Sequence, residues 1–263
     1  MIASNTGWVH TISLSAPSLK DNTADADRLL RALKSQLGTG AIAIDLELLR
    51  RLPDCLRRWE FNLRCILFKD RHGSVLTGIR PAADSRPVAG LAVDLGTSRV
   101  VLRLLDLVSG AVLAESALDN PQIAMGSDIL TRIHYAEQPD GLPKLNALII
   151  DGLNRALRDL CGACQMEPQD VYALAVAGNT TMTHLFMGLN PRWNVREPYI
   201  PVVNQPGILR AAELGIQVNP SARMLIFPNI GSYFGGDLIA GILFAGMHRQ
   251  EETTILVDVG TNA

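Results

Sequence analysis

Apolar and polar positions along the first part of the chain follow two spacings, one typical of strands and one typical of helices. Residues 9–15 alternate polar and apolar side chains, which predicts a strand with one buried face. Residues 23–37 place leucines at helical spacing, with Thr23 as the expected N-cap and Gly38 as the stop. Residues 45–59 repeat the helical spacing, and Pro53 predicts a break inside it.

A hairpin and a proline-containing stretch complete this first part. Residues 61–69 and 75–80 are apolar runs joined by Arg71-His72-Gly73, which predicts two paired strands. Residues 80–87 combine two prolines with small polar residues and interrupt all periodicity, which predicts a linker. We therefore expect a small α/β unit over residues 1–86 and a second domain over residues 88–263.

The second part alternates strands and helices. Residues 89–95, 99–107 and 111–117 predict three antiparallel strands, the first two joined by a tight turn. We predict helices over residues 127–137, 142–161, 182–188 and 238–247, and further strands over residues 171–177, 224–227 and 254–259. Residues 199–220 are punctuated by prolines and less regular.

A short phrase occurs twice in this second part. Residues 91–97 read Leu-Ala-Val-Asp-Leu-Gly-Thr, and residues 255–261 read Ile-Leu-Val-Asp-Val-Gly-Thr. In each copy a buried strand ends in an aspartate and a Gly-Thr turn. Such a glycine lets backbone N–H groups approach a phosphate, and the aspartate faces the accompanying metal. Two copies predict a duplicated fold that clamps a nucleotide between its halves.

Four loops follow strand ends or precede helices, and open α/β sheets bind ligands at that edge. They span residues 94–98, 178–181, 235–237 and 258–262, and helix N-termini add free N–H groups for phosphate. Asp94 and Asp258 would orient Mg²⁺ or its waters, and Asp237 would position the attacking water. The nucleotide would lie against Gly96, Thr97, Ser98, Asn179, Thr180, Gly235, Gly236, Asp258, Gly260, Thr261 and Asn262.

Each of these residues also has an ordinary structural interpretation. A strand-end aspartate such as Asp94 is a common turn residue, Asp237 taken alone is more typical of an N-cap, and Asn179 is typical of a helix cap. Only the shared placement of all four loops favours a site.

Composition limits the classes of protein that fit this chain. The 263 residues are 48% hydrophobic, which suffices for a sizeable core, and the net charge of −2 excludes a strong nucleic-acid footprint. No run reaches the ~18 apolar residues of a membrane helix, and no signal-peptide pattern is present, so the cytoplasm is expected.

Cys161 and Cys164 form a C-x-x-C pair without a second pair, so two unrelated thiols are favoured over a redox or metal site. His184 is expected to be a packed helix residue.

Longer phrases resemble one family, the reductive activators of corrinoid proteins, within the superfamily of acetate and sugar kinases, heat-shock chaperones and actin. The phrases are residues 91–98, 120–133, 177–191, 228–237 and 256–262, and residues 14–19 with 25–30 look like that family's middle domain. The resemblance implies a small α/β middle domain followed by the first half of an actin-like (ribonuclease H-like) ATPase domain.

The resemblance also implies an activity, cofactors and partners. Such activators use ATP and Mg²⁺ to help return a Co(II) corrinoid to Co(I), with an electron from a [2Fe–2S] cluster in a ferredoxin-like domain. The implied partner is a corrinoid iron–sulfur protein or a corrinoid methyltransferase subunit, with neither nucleic acid nor membrane, and a homodimer stays open.

This sequence departs from the family in three ways. The closely spaced cysteines of the ferredoxin domain are absent, Ser98 and Arg99 replace the expected threonine and neutral residue, and the second phrase stops at Ala263. We therefore interpret the chain as a fragment and expect poor or no ATPase activity. Two alternatives stay open: an actin-like activator of acyl-CoA dehydratases, and a non-catalytic module that docks on a corrinoid protein through residues 1–90.

Overall fold

The structure, a computed structural model, describes residues 7–38 and 41–257, which form one four-stranded and one six-stranded sheet with helices packed on them. The smaller sheet contains β1 (Val9–Ser13), β2 (Ile42–Ile44), β3 (Asn62–Asp70) and β4 (Gly73–Pro81), and it carries α1 (Asp25–Leu37) and α2 (Leu46–Arg58). Its order is β1-β3-β4-β2, with β2 parallel to β4 and the other pairs antiparallel. The predicted β3–β4 hairpin is therefore confirmed.

The predicted start of α1 is wrong by two residues. The N-cap position is Ala24, without a side-chain cap, and the Thr23 hydroxyl instead donates to Asp21 Oδ1 at 2.8 Å. The predicted stop is confirmed, because Gly38 has a left-handed φ of 63° and its N–H donates to the Lys34 carbonyl.

The predicted break at Pro53 is also wrong, because α2 runs straight through it. Leu48, Leu52 and Leu56 lie on one face of this helix and are at most 1% exposed in the core of the smaller unit. Pro53 lies on the opposite, exposed face. Water can therefore reach the carbonyl that the proline leaves without an N–H partner.

The larger sheet contains β5 (Ala89–Leu95), β6 (Arg99–Asp106), β7 (Val112–Asp119), β8 (Val171–Gly178), β9 (Ile208–Arg210) and β10 (Arg223–Ile226). Its order is β7-β6-β5-β8-β10-β9, with β5, β8 and β10 mutually parallel and the outer pairs antiparallel. Its helices are α3 (Ile129–Ala136), α4 (Gly141–Ala163), α5 (Thr180–Phe186) and α6 (Gly236–Phe244). The buried faces of β5, β6, β8 and α4 form its core.

Three further expectations are corrected in this region. Helix α5 begins at Thr180, two residues before its predicted start, and the irregular stretch 199–220 includes strand β9. The strand predicted over 254–259 is not found in residues 254–257, and its last two positions lie outside the described residues. Within the described ranges, none of the helices combines the length and apolarity of a membrane span.

Arg80 connects the two sheets rather than opening a linker. It belongs to β4, is 4% exposed, and its Nη2 donates to Asp170 Oδ1 at 2.6 Å beside the larger sheet. Its Nε donates to the hydroxyl of Tyr172 on β8 at 3.2 Å. A second ion pair between the units joins Arg223 to Asp45 at 2.8 Å. The two sheets are therefore in direct polar contact.

Candidate functional site

Three of the four predicted loops meet at one edge of the larger sheet. Strands β5 and β8 are parallel and end in register, with Leu95 opposite Gly178, and β10 runs in the same direction beside β8. The carboxyl ends of parallel strands share one edge, where α/β sheets commonly bind ligands. Asp94 lies at the end of β5, and the segments after the three strands hold the predicted residues Gly96–Ser98, Asn179–Thr180 and Gly235–Asp237.

The turn after β5 requires glycine at position 96. A Cβ at Gly96 would collide with the carbonyl oxygen of Arg99, so any other residue must displace the backbone. Asn120 stabilises the turn through two hydrogen bonds. Its Nδ2 donates to the Gly96 carbonyl and its backbone N–H donates to the Ser98 carbonyl, both at 2.8 Å. Asn120 is 1% exposed, so this support is part of the core.

Thr97 links the first loop to the second. Its side chain is buried, and its hydroxyl oxygen accepts a hydrogen bond from Asn179 Nδ2 at 3.0 Å. Asn179 is also the N-cap of α5, because its Oδ1 accepts from the Met182 N–H at 2.9 Å. The structural interpretation of Asn179 as a cap is therefore correct, and the same side chain also joins two of the candidate loops.

The third loop packs directly on the second. A Cβ added to Gly235 would lie 2.6 Å from the Cα of Asn179, and one added to Gly236 would lie 2.8 Å from the Cβ of Phe227. The Thr180 hydroxyl donates to the Gly231 carbonyl at 3.1 Å. Gly235 therefore lets the start of α6 approach the end of β8 closely, and Gly236 does the same for the end of β10.

The two aspartates of the described site differ in their surroundings. Asp94 lies on β5 opposite Val101 and Ala177, and its side chain is exposed. Asp237 is half-buried in the first turn of α6, and its Oδ1 accepts from the Leu238 N–H at 2.8 Å. The N-cap of α6 is Gly235, so Asp237 is not the cap. Asp258, Gly260, Thr261 and Asn262 lie outside the described residues.

Arg132 is a residue of this region that the sequence reasoning missed. It is 0% exposed, and its Nη2 donates to the Thr97 carbonyl at 2.7 Å. Burial lowers the pKa of its guanidinium to about 10, while the charge of Asp128 raises it. The available signal was its position on α3: Arg132 shares the inward face with Ile133 and Ala136, where an apolar residue is expected.

His184 is buried behind the second loop, as expected of a packed residue. Its Nδ1 donates to the Thr180 carbonyl at 2.6 Å, and its Nε2 accepts from the Val202 N–H at 3.0 Å. A carbonyl can only accept and an N–H can only donate, so these partners require the neutral form protonated at Nδ1. Burial lowers the pKa of His184, against a smaller rise from the Thr180 carbonyl.

Two family models match this chain. The model of the RACo middle region matches residues 89–250, which contain the larger sheet and all the described site residues. The chain belongs to the RACo family. The model of the RACo linker region matches residues 5–85, the stretch compared above with the family's middle domain.

Two relatives support this membership. The RACo chain is 33% identical over 178 residues to the corrinoid activation enzyme RamQ of Eubacterium limosum, an alignment that covers 67% of this chain and 30% of RamQ. It also resembles a solved structure of a reductive activator for corrinoid, iron–sulfur protein, with a TM-score of 0.84 and 36% identity. That match covers 93% of this chain and 39% of the other, so the chain spans well under half of either relative. The predicted fold class is confirmed.

The cysteines of this RACo chain do not fit an iron–sulfur cluster. Burial raises the pKa of Cys65 to about 12 and that of Cys161 to about 11, so both thiols stay protonated near neutral pH. Cys164 Sγ instead lies 3.6 Å from the Leu113 carbonyl. Within residues 7–38 and 41–257, no group of three or more His, Cys, Asp or Glu side chains could hold a metal ion.

Proposed function

We propose that this RACo chain provides one side of an ATP site in a reductive activator of corrinoid proteins. The observation that carries the proposal is the convergence of the Gly96 turn, the Asn179 cap and the Gly235 loop at one sheet edge. Membership of the RACo family and the names of both relatives support the corrinoid part. We further propose two domains, with their boundary near residues 86–88.

The peptide groups of the Gly96 turn are oriented to bind phosphate. Asn120 and Arg132 hold the carbonyls of Gly96 and Thr97. Because a trans peptide points its C=O and N–H in opposite directions, the N–H groups of Thr97 and Ser98 point away from these two side chains. Backbone N–H groups aimed in this way can receive the phosphates of ATP.

The two aspartates would divide the remaining roles. Asp94 is exposed where the strand enters the turn, which suits a carboxylate that holds Mg²⁺ through water. Asp237 lies one residue after the close contact between Gly236 and Phe227, at the start of α6, where it could orient the attacking water. Asp258 and the turn 260–262 would complete the clamp as the second copy of the phrase.

The corrinoid reaction adds one electron to Co(II) to give Co(I). Among the described residues no three possible metal ligands come together, so we assign no electron-transfer step to their thiols. The role proposed for this chain is to contribute one side of the site at which MgATP is bound and hydrolysed, and so to help drive the reduction. The proposed partner is a corrinoid iron–sulfur protein or a corrinoid methyltransferase subunit.

The test uses the full-length protein. We expect MgATP binding by calorimetry, about tenfold weaker in Asp94→Asn, and hydrolysis reduced about 100-fold in Asp237→Asn with binding retained. Asp151→Asn is the matched control, because Asp151 is exposed on α4 away from the loops. Absence of MgATP binding by the unaltered protein, or equal behaviour of Asp94→Asn and Asp151→Asn, would contradict the proposal. Absorption spectra of an added Co(II) corrinoid protein, recorded anaerobically with a low-potential chemical reductant as the electron donor and with or without ATP, test the reductive part.

A further inference from the structure

Arg132 differs from the other deeply buried arginine of this chain in what surrounds it. Arg80, at 4% exposure, forms an ion pair with Asp170 at 2.6 Å. Arg132, at 0% exposure, donates only to neutral groups among the described residues: the carbonyls of Gly126 and Thr97, the amide oxygen of Gln122 and the sulfur of Met182.

No carboxylate among the described residues forms an ion pair with Arg132. The acidic residue whose charge acts on Arg132 is Asp128, which is exposed and accepts hydrogen bonds from the N–H and the hydroxyl of Thr131. A positive charge taken out of water is unfavourable unless an opposite charge compensates it. Here the hydrogen bonds are satisfied, but the charge is not compensated within the described residues.

The position of this charge indicates what would compensate it. Nη2 of Arg132 holds the carbonyl of Thr97, so the guanidinium lies immediately behind the turn whose N–H groups point the other way. In a poorly solvated interior a charge acts over several ångströms. An anion that binds in front of this turn would therefore interact favourably with Arg132 without touching it.

We propose that Arg132 is a positioning residue for a polyphosphate ligand. It orients the Thr97–Ser98 peptide through its hydrogen bond, and its buried charge favours ligands in proportion to their negative charge. This inference rests on the proposed function, and it assigns to that site a preference for nucleoside triphosphate over diphosphate and monophosphate.

The test measures the affinities of the complete protein for ATP, ADP and AMP by competition against a fluorescent ATP analogue. In Arg132→Met we expect the affinity for ATP to fall about 10- to 100-fold, the affinity for ADP to fall less and that for AMP least. The reason is that ATP carries the largest negative charge and therefore interacts most strongly with the charge of Arg132. Arg132→Lys keeps the charge and should keep the graded preference. Arg80→Met is the matched control, because it removes a buried arginine far from the turn and should leave the ratio of ATP to AMP affinity unchanged.

The outcomes separate this inference from the function on which it rests. If Arg132→Met weakens ATP and AMP by the same factor, Arg132 is only structural and the inference is overturned. If the unaltered protein binds no ATP, the proposed function fails and the inference with it. If Arg132→Met does not fold, Arg132→Gln decides, because it keeps an N–H donor for the Thr97 carbonyl but lacks the charge: it should lose the graded preference for ATP, and a preference equal to that of the unaltered protein overturns the inference.

Discussion

Gly96 is the residue on which the shape of the candidate phosphate turn depends. In Gly96→Ala the new Cβ would meet the Arg99 carbonyl oxygen, which is backbone and cannot rotate away. We expect a loss of about 1–3 kcal/mol in the free energy of unfolding, together with loss of ATP binding. Urea unfolding and calorimetry measure the two effects.

A second glycine provides the control for this substitution. Gly162 lies in α4 with nothing within 4 Å of its added Cβ. Gly162→Ala should therefore be neutral or stabilise the protein by about 0.5–1 kcal/mol. If Gly96→Ala were as stable as Gly162→Ala and bound ATP normally, the short distance between position 96 and the Arg99 carbonyl would not require glycine at this position.

His184 should make stability depend on pH. Burial favours its neutral form, so its pKa in the folded protein lies below the ordinary value of 6.5. At pH values between the folded and unfolded pKa the unfolded chain binds more protons, and stability therefore rises with pH. The contribution is complete above the unfolded pKa and is lost as the pH falls through the folded pKa.

The measurement is the free energy of unfolding by urea at about pH 7.5 and about pH 5.5, on either side of the ordinary histidine pKa. The unaltered protein should lose stability at the lower pH, and His184→Asn should lose less of it. An identical pH dependence in the two proteins would show that His184 is not the group responsible.

Single residues also show where sequence reasoning reached its limit. The positions of Gly96 and Asn179 follow from local signals, a strand-end Gly-Thr and a capping residue, and the structure brings both into one region. Arg132 carries no such signal, because its role depends on contacts with Thr97 and Met182, which are distant in sequence. A charged residue on an apolar helix face is the pattern that would have identified it.

At the scale of elements, tertiary burial overrode a local rule in α2. An interior proline costs about 3 kcal/mol or more, whereas each fully buried leucine contributes roughly 1.5–3 kcal/mol. Three buried leucines, Leu48, Leu52 and Leu56, outweigh the single exposed Pro53. Strands β3, β4, β5 and β8 were predictable because their apolar runs are long and bounded by turns. Residues 254–257 have the same apolar character, but no strand of the described chain pairs with them.

At the start of α5, the capping role of Asn179 can be tested separately from its hydrogen bond to Thr97 in the first loop. Asn179→Asp keeps an oxygen that can accept from the Met182 N–H, but it loses the Nδ2 donor to Thr97 and adds a negative charge beside the proposed phosphates. We expect nearly unchanged stability and weaker ATP binding, whereas Asn179→Ala should also cost about 1 kcal/mol of stability. Thermal melting and calorimetry measure these effects.

The N-cap of α3 provides the control for this pair of variants. Asp128 caps α3 by accepting from the Thr131 N–H at 2.9 Å, and Asp128→Asn keeps an oxygen for that bond. We expect it to change stability little and not to weaken ATP binding, because it removes a negative charge that acts on Arg132 and adds none. Unchanged ATP binding in Asn179→Asp would mean that the link between Asn179 and Thr97 does not shape the site.

At the scale of the whole molecule, the two sheets are joined by a polar junction of Arg80, Asp170 and Tyr172. Arg80 on β4 and Asp170 before β8 are 4% and 5% exposed, and Tyr172 adds a hydrogen bond to Arg80 at 3.2 Å. The family models meet between residues 85 and 89, close to this junction in the chain. The sequence marked residues 80–87 as a linker, but it could not indicate that Arg80 has a partner ninety positions away.

Removal of one partner of this buried pair tests whether the junction couples the two sheets. Asp170→Ala leaves Arg80 buried without its carboxylate, and we expect a loss of about 3–5 kcal/mol in the free energy of unfolding. Asp45→Ala breaks the other ion pair between the units, whose aspartate is 24% exposed, and should cost less.

If the junction couples the sheets, Asp170→Ala should also split a single urea transition into two, followed separately by Trp59 and Trp193 fluorescence in single-tryptophan variants. A single transition with unchanged midpoint would mean that apolar packing alone, around Ile66, Val88 and Tyr172, holds the sheets together.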